Sequence, residues 1–213
     1  MIDASVNHFF NDRFKLIWYN IHIRGGMMCG RYYIEFNELL VARSIKRKLE
    51  SKGLNHYATQ EVFPTSNIIT LVKNASQVDV DIMKWGIDLN GKHLINARSE
   101  TLDIKPFYKE MKGNRCLVIA NGFYEWKDKQ KYYIHLKDEE YMYLAGIVNH
   151  KKELLIVTAQ AECEMANIHH RTPIIYRHHE VRAFLNGTIP YRTMNDNLVI
   201  QNLNSYETIA LDF

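Results

Sequence analysis

Between residues 67 and 161 the chain repeats a pattern that a sheet accommodates well: short apolar or alternating runs, separated by a few turn-forming positions. "NIITLV" and "VDVDIMKW" come first, with Val78, Val80 and Ile82 set against Asp79 and Asp81, and Asn74 to Ser76 available to turn between them. "RCLVIA", "KYYIHL", "YMYLAGIV" and "ELLIVTAQA" follow as further strand-like runs. Helical periods are fewer. "FNELLVARSIKRKLESKG" repeats Val41, Ile45 and Leu49 every four residues, with Asn37 placed to cap and Gly53 to stop it. Short helices are expected at "KPFYKEMKG", with Pro106 in the first turn, at "AECEMANIH", and at "HEVRAFLNG" with Gly187 at its end. A strict strand–helix–strand alternation is absent, so the expectation is one α+β domain around a curved mixed or antiparallel sheet.

The 213 residues, 46% of them apolar, suffice for a substantial core, and a formal charge of +3 is compatible with a nucleic-acid partner without requiring one. Cys29, Cys116 and Cys163 are odd in number and contain no C-x-x-C pair, which argues against a disulfide framework or a cysteine-rich zinc site and suits a reducing cytoplasm. Cys116 and Cys163 read as small buried hydrophobes.

The stretch "HFFNDRFKLIWYNIHIRGG" has no apolar run near the roughly 18 to 20 residues that cross a bilayer, and lacks the order of a signal peptide. Residues 1–28 therefore read as a leader, through start-site choice or removal, and 29–213 as the domain. Arg24-Gly25-Gly26 can be encoded by purine-rich codons of the ribosome-binding kind, just upstream of Met28. A chain starting at Met28 and losing it would present Cys29 with a free amine and a thiol on adjacent carbons. An amphipathic element packed on the domain is the alternative reading of the leader.

Four clusters stand apart from these periods: "MCGRYY" (28–33), "LINARSET" (94–101), "ANGFYEW" (120–126) and "NIHHRTPII" (167–175). They offer a nucleophile, Cys29; an amide, Asn96; an anion binder, Arg98; a carboxylate, Glu125; and an imidazole, His169. Spacing alone does not say that they meet. Together with Trp85-Gly86 and in this order, the clusters resemble the SOS-response-associated peptidase family, whose members shield abasic sites in single-stranded DNA by covalent attachment. The resemblance runs from 28 to about 176. It implies a compact α+β fold with a barrel-like sheet, peripheral helices and a basic groove leading to the N-terminal cysteine.

It also implies roles. The amine and thiol of Cys29 would capture the sugar aldehyde as a Schiff base and then a thiazolidine, after autoproteolytic exposure of the cysteine. Glu125 would move protons, His169 would be a second acid or base, and Asn96 would orient the terminus. Arg31 and Arg98 match phosphate-contacting positions, with Arg171 either a third or a brace for the histidine loop. Trp126 and Trp85, with Phe123, would offer stacking surfaces, the alternative for each being a core position. The partner implied is single-stranded DNA with abasic sites, bound by a monomer, with no membrane, metal or cofactor. His170, His178 and His179 beside Glu180 match no zinc-hydrolase motif, and "KDKQK" (127–131) reads as a solvated hairpin turn. Asn121 stands where the family usually has aspartate, Thr172 replaces a bulkier residue, and the segment after Gly86 is short. Two other readings remain open: a cysteine peptidase acting in trans through Cys29, His169 and Glu125, and a noncovalent nucleic-acid-binding module.

Overall fold

The computed structural model describes residues 30–37, 40–192 and 197–204. Along the chain these form β1 (Arg31–Ile34), α1 (Leu40–Ser51), β2 (Gln60–Val62), β3 (Asn67–Asn74), β4 (Gln77–Trp85), β5 (Ile87–Leu89), β6 (Lys92–Leu94) and β7 (Asn96–Arg98). A 3₁₀ turn at Ser99–Thr101 leads to α2 (Pro106–Met111), β8 (Arg115–Ala120), β9 (Gly122–Lys127), β10 (Gln130–Leu136), β11 (Met142–Val148) and β12 (Glu153–Gln160). Then come α3 (Cys163–Ile168), β13 (Arg171–Pro173), β14 (Ile175–Tyr176), a second 3₁₀ turn at His178–Glu180, α4 (Val181–Leu185) and β15 (Leu198–Asn202).

The larger sheet closes on itself. β12 pairs with β4, β4 with β3, β3 with β8, β8 with β11, and β11 returns to β12. The closure depends on β12 changing partners along both edges. One edge runs parallel to β4 at Glu153 and Leu154, then parallel to β7 from Ile156 to Thr158. The other pairs antiparallel with β11 up to Ile156 and with β13 from Thr158 to Gln160. A second sheet of five strands, in the order β15-β10-β9-β1-β2, is antiparallel throughout. The structure is thus a single α+β domain with a ring-like curved sheet and a few short helices outside it, as the resemblance implied.

The long apolar runs lie where both sheet faces are covered. Every residue of β11 is buried, and so is the centre of β12. β4 shows why its alternation is imperfect. Val80 faces the same side as Leu71 and lies near α1, whose Ala42, Ile45 and Leu49 are buried, while Met83 and Trp85 are buried on the opposite face. The capping position Asn37 is held elsewhere as well: its carboxamide oxygen accepts from Tyr141 Oη at 3.2 Å, and its amide donates to Glu140. Gly53 and Gly187 follow α1 and α4 with positive φ, and Pro106 occupies the first turn of α2. Asp128 and Lys129, both at positive φ, form the tight turn between β9 and β10.

One cysteine departs from expectation. Cys116 is fully buried, which pushes its thiol up to about 12. Cys163 is exposed, because it opens α3 at the surface.

Gly146 of β11 is paired with Cys116 of β8, and a Cβ at this glycine would meet the cysteine Sγ at 2.7 Å. Gly146→Ala should therefore lower stability by about 1–3 kcal/mol, read as a lower urea midpoint at unchanged slope. Combining it with Cys116→Ala, which vacates the space, should recover part of that loss.

Candidate active site

Two groups of polar side chains approach each other across the domain, one on the five-stranded sheet and one at the end of β12. In the first, strand alternation sends Arg31, Tyr124, Trp126, Lys131 and Tyr133 to one face, because Arg31 pairs with Tyr124, Tyr124 with Tyr133, and Trp126 with Lys131. Tyr32, Phe123, Glu125 and Ile134 face the other way. Glu125 is 3% exposed. A carboxyl so deep in the domain is costly unless something there uses or satisfies it.

Above Tyr124, a cluster of charges and rings forms the outer surface. Glu61 Oε1 accepts from Arg31 Nη1 at 3.0 Å and from Lys131 Nζ at 2.9 Å. Partial burial acts to raise the Glu61 carboxyl, but Lys131 and Arg31 outweigh it and hold it below the usual range. The Arg31 guanidinium lies 4.7 Å from the Phe63 ring centre and 4.9 Å from that of Trp126. Lys131 Nζ sits 3.9 Å above Tyr124.

The second group is built on Arg171, the first residue of β13. Its guanidinium is fork-bonded to the Glu100 carboxylate and donates from Nη2 to Thr158 O at 2.8 Å. Thr158 Oγ1 in turn donates to Ala97 O, between Asn96 and Arg98. The Arg171 backbone N–H donates to His169 Nδ1 at 3.1 Å. Arg171 O lies 3.3 Å from the same nitrogen, so Nδ1 can accept from the N–H in one tautomer or donate to the carbonyl in the other. Half-burial, with repulsion from the neighbouring His170 and Arg171, outweighs the hydrogen bond to the Arg171 backbone, which acts to raise the pKa, and lowers it below the ordinary 6.5. The neutral form therefore prevails at pH 7. Arg98 is exposed and makes no ion pair with the described residues, and with Gln160, His170 and Arg171 it lines a cavity of about 210 Å³.

Two connections hold the groups together. α3, which ends at His169, packs against β9, the strand of Glu125. On the inner face the Tyr32 ring lies 5.6 Å from that of Trp85, whose Nε1 donates to Ile95 O at 3.0 Å, next to Asn96.

That geometry decides between the readings left open for three residues. Trp85 is fully buried with its indole N–H committed, so it has no face to offer a base and belongs to the core, as does Phe123. Arg171 is buried and paired with a carboxylate, so it braces the histidine loop instead of offering a free phosphate contact. Arg31 and Trp126 meet on the outer surface, Arg98 lies exposed at the other group, and Cys29 lies outside the described residues. Asn121 anchors β1: its oxygen accepts from the Glu35 backbone N–H at 2.6 Å and its amide donates to Glu140 O at 3.1 Å. Aspartate could not supply that second bond. Lys131, within the stretch read as a solvated hairpin turn that could touch phosphate, lies on β10 and bonds Glu61; Glu61 and Glu100 had no role assigned, and the place of Glu100 within "NARSET" was a signal for it, whereas Glu61 gains meaning only through strand pairing.

A closed mixed sheet with short peripheral helices, a deeply buried glutamate on one strand and a half-buried histidine on the loop before β13 define a small α+β domain of one distinct class. The chain belongs to the SOS response associated peptidase (SRAP) family, whose model matches residues 28–211. It is 29% identical over 182 residues to the abasic site processing protein YoqW of Bacillus subtilis (strain 168), covering 75% of this chain and 80% of that one. It is 26% identical over 183 residues to the abasic site processing protein YedK of Escherichia coli (strain K12), covering 76% and 81%. Among solved structures, a Bacteroides thetaiotaomicron protein shares the fold at a TM-score of 0.64 and 20% identity, over 82% of this chain and 91% of that one.

Burial of His169 beside His170 and Arg171 governs its titration. In an NMR titration the His169 midpoint should fall below 6.5. Because this pKa is depressed in the folded state, the associated stability is present above the unfolded value and lost as pH falls below it. A midpoint at or above 6.5 would contradict this account of the loop.

Proposed function

We propose that this protein processes abasic sites in single-stranded DNA by covalent capture, and that its working form begins at Cys29. The observation that carries the proposal is the register of β1 against β9. Arg31 lies opposite Tyr124, and one step further along the same register, buried Gly30 faces the position of Glu125. Cys29 is bonded to Gly30, and consecutive Cα atoms are about 3.8 Å apart. Cys29 is therefore one residue along the chain from the position that faces Glu125.

In this reading the ring-opened sugar presents an aldehyde. The Cys29 amine adds to its carbon, a proton passes from nitrogen to oxygen, and water leaves to give a Schiff base. The thiol sulfur then adds to the imine carbon while its proton goes to nitrogen, closing a five-membered thiazolidine. An α-amine with a pKa of about 7.7–8.0 is mostly protonated at neutral pH, only its neutral fraction adds to the aldehyde, and a base beside it takes the proton that the nitrogen sheds on addition. Glu125 is that base and returns the proton to the departing hydroxyl. His169, in the tautomer whose Nδ1 accepts, donates from Nε2 to the opened sugar, and Asn96 holds the terminus. Arg31 and Arg98 bind phosphates, and Trp126 stacks on an unpaired base. An internal cysteine lacks the free amine, so the 28 preceding residues must be absent or removed, and self-cleavage is the route the family's peptidase description suggests.

The test is a denaturing gel of protein beginning at Cys29 with single-stranded DNA carrying one abasic site. A shifted band is expected, lost with Cys29→Ala, with the aldehyde reduced beforehand, or with residues 1–28 retained. Glu125→Gln should slow its appearance by about 100-fold. A band that persists with residues 1–28 in place would overturn the chemistry, and peptide cleavage in trans by that longer chain would favour a peptidase instead.

A further inference from the structure

The outer face of the five-stranded sheet carries more aromatic surface than the proposed reaction uses. Beyond Arg31 and Trp126, the same face continues through Tyr124, Tyr133, Tyr33 and His135, because Tyr33 and His135 both pair with Gly122. The rings form one connected set. Tyr124 lies 5.2 Å from Tyr133, Tyr133 meets Tyr33 edge-on at 6.4 Å, and Tyr133 stacks on His135 at 5.4 Å with 27° between planes. Gly122 makes this possible. A Cβ there would fall 2.5 Å from the Tyr133 ring, so the ring crosses the strand directly over the glycine.

A set of rings like this on an outer sheet face is an ordinary way to protect a glycine in a strand, but three features go further. Tyr33, Tyr133 and His135 are only half-buried, so an unburied ring surface remains. The set runs without interruption into Arg31 and Trp126, which the proposed function places on DNA. Among the described residues, Glu61 accepts from both Arg31 and Lys131, so two cations border the rings at the end nearer Trp126. At the other end Tyr33 Oη donates to Glu35 at 2.6 Å, where an anionic group bounds the surface.

We infer that this face is a base-stacking platform for the stretch of single strand running on from the reacting sugar, centred on Tyr133 and flanked by Tyr33 and His135. The inference rests on the proposed function for its direction but not for its chemistry, since stacking needs no aldehyde. Stacking on rings tolerates any base, so the platform would bind by strand length and not by sequence. Double-stranded DNA, whose bases are already stacked, would gain nothing from it.

The experiment measures fluorescence anisotropy of protein beginning at Cys29 with undamaged oligonucleotides of increasing length, alongside crosslinking of matched oligonucleotides whose abasic site lies near either end. Binding should tighten with length up to a limit, and extension on one side of the lesion only should matter. Tyr133→Leu should remove about tenfold of the affinity gained from length, while the crosslinking rate on the shortest oligonucleotide stays that of the parent. Because Tyr133 covers Gly122, His135→Ser and Tyr33→Ser supply variants at the edges of the set, each expected to lose a smaller part of the same gain. Length dependence unchanged in all folded variants would overturn the platform. Absence of any crosslink in the parent would overturn the covalent reading, while the anisotropy series would still decide the platform.

Discussion

Strand β12 gives each of its two edges to two partners in succession, and the arrangement of the candidate site follows from that. Its first half closes the ring between β4 and β11, and its second half leaves the ring to pair with β7 and β13. The switch delivers Asn96 and Arg98 on one side of Thr158 and Arg171 on the other. Arg171 then crosses β12 to bond Thr158 O and Glu100, so the exits are tied together by an ion pair whose arginine is buried and whose carboxylate is half-exposed. Such a pair contributes little net stability compared with apolar packing, but removing the carboxylate leaves a buried charge unpaired. Its value here is positional: the backbone of the same arginine is bonded to the ring of His169.

The five-stranded sheet supplies the complementary half by a simpler device. Alternation along β9 divides its side chains between two environments, Phe123 and Glu125 inward, Tyr124 and Trp126 outward. A carboxyl group is thereby kept away from solvent while rings and cations one residue away remain on the surface. Trp85 is the joint between the halves, packed on Tyr32 of β1 and bonded to the carbonyl preceding Asn96. A residue read from the sequence as a stacking surface thus serves by fixing the distance between two strands.

The long strands were legible because their apolar periods extend over five or more residues, and the sites of turns because asparagine, glycine and proline restrict the backbone. β7, β13 and β14 were not legible: two or three residues carry no period, and these strands exist only because β11 and β12 present free edges to them. The candidate site divides in the same way. Glu125, His169, Asn96 and Arg31 stood out as polar residues in apolar or motif contexts. The choice between brace and phosphate contact for Arg171, and between core and surface for Trp85, stayed open because Glu100 is 71 residues from Arg171 and the Trp85 contacts span two sheets, neither visible in local sequence. Glu125 between Tyr124 and Trp126 looks like an outward position until both sheet faces are seen to be occupied.

The central claim is that one terminal residue contributes two atoms to the same sugar carbon. Proteolysis of the DNA adduct followed by tandem mass spectrometry tests this most directly. The account predicts a peptide beginning at Cys29 whose α-nitrogen and sulfur both carry the sugar remnant, with the mass of one water lost on condensation. A remnant held by sulfur alone, or attached to any other residue, would contradict it.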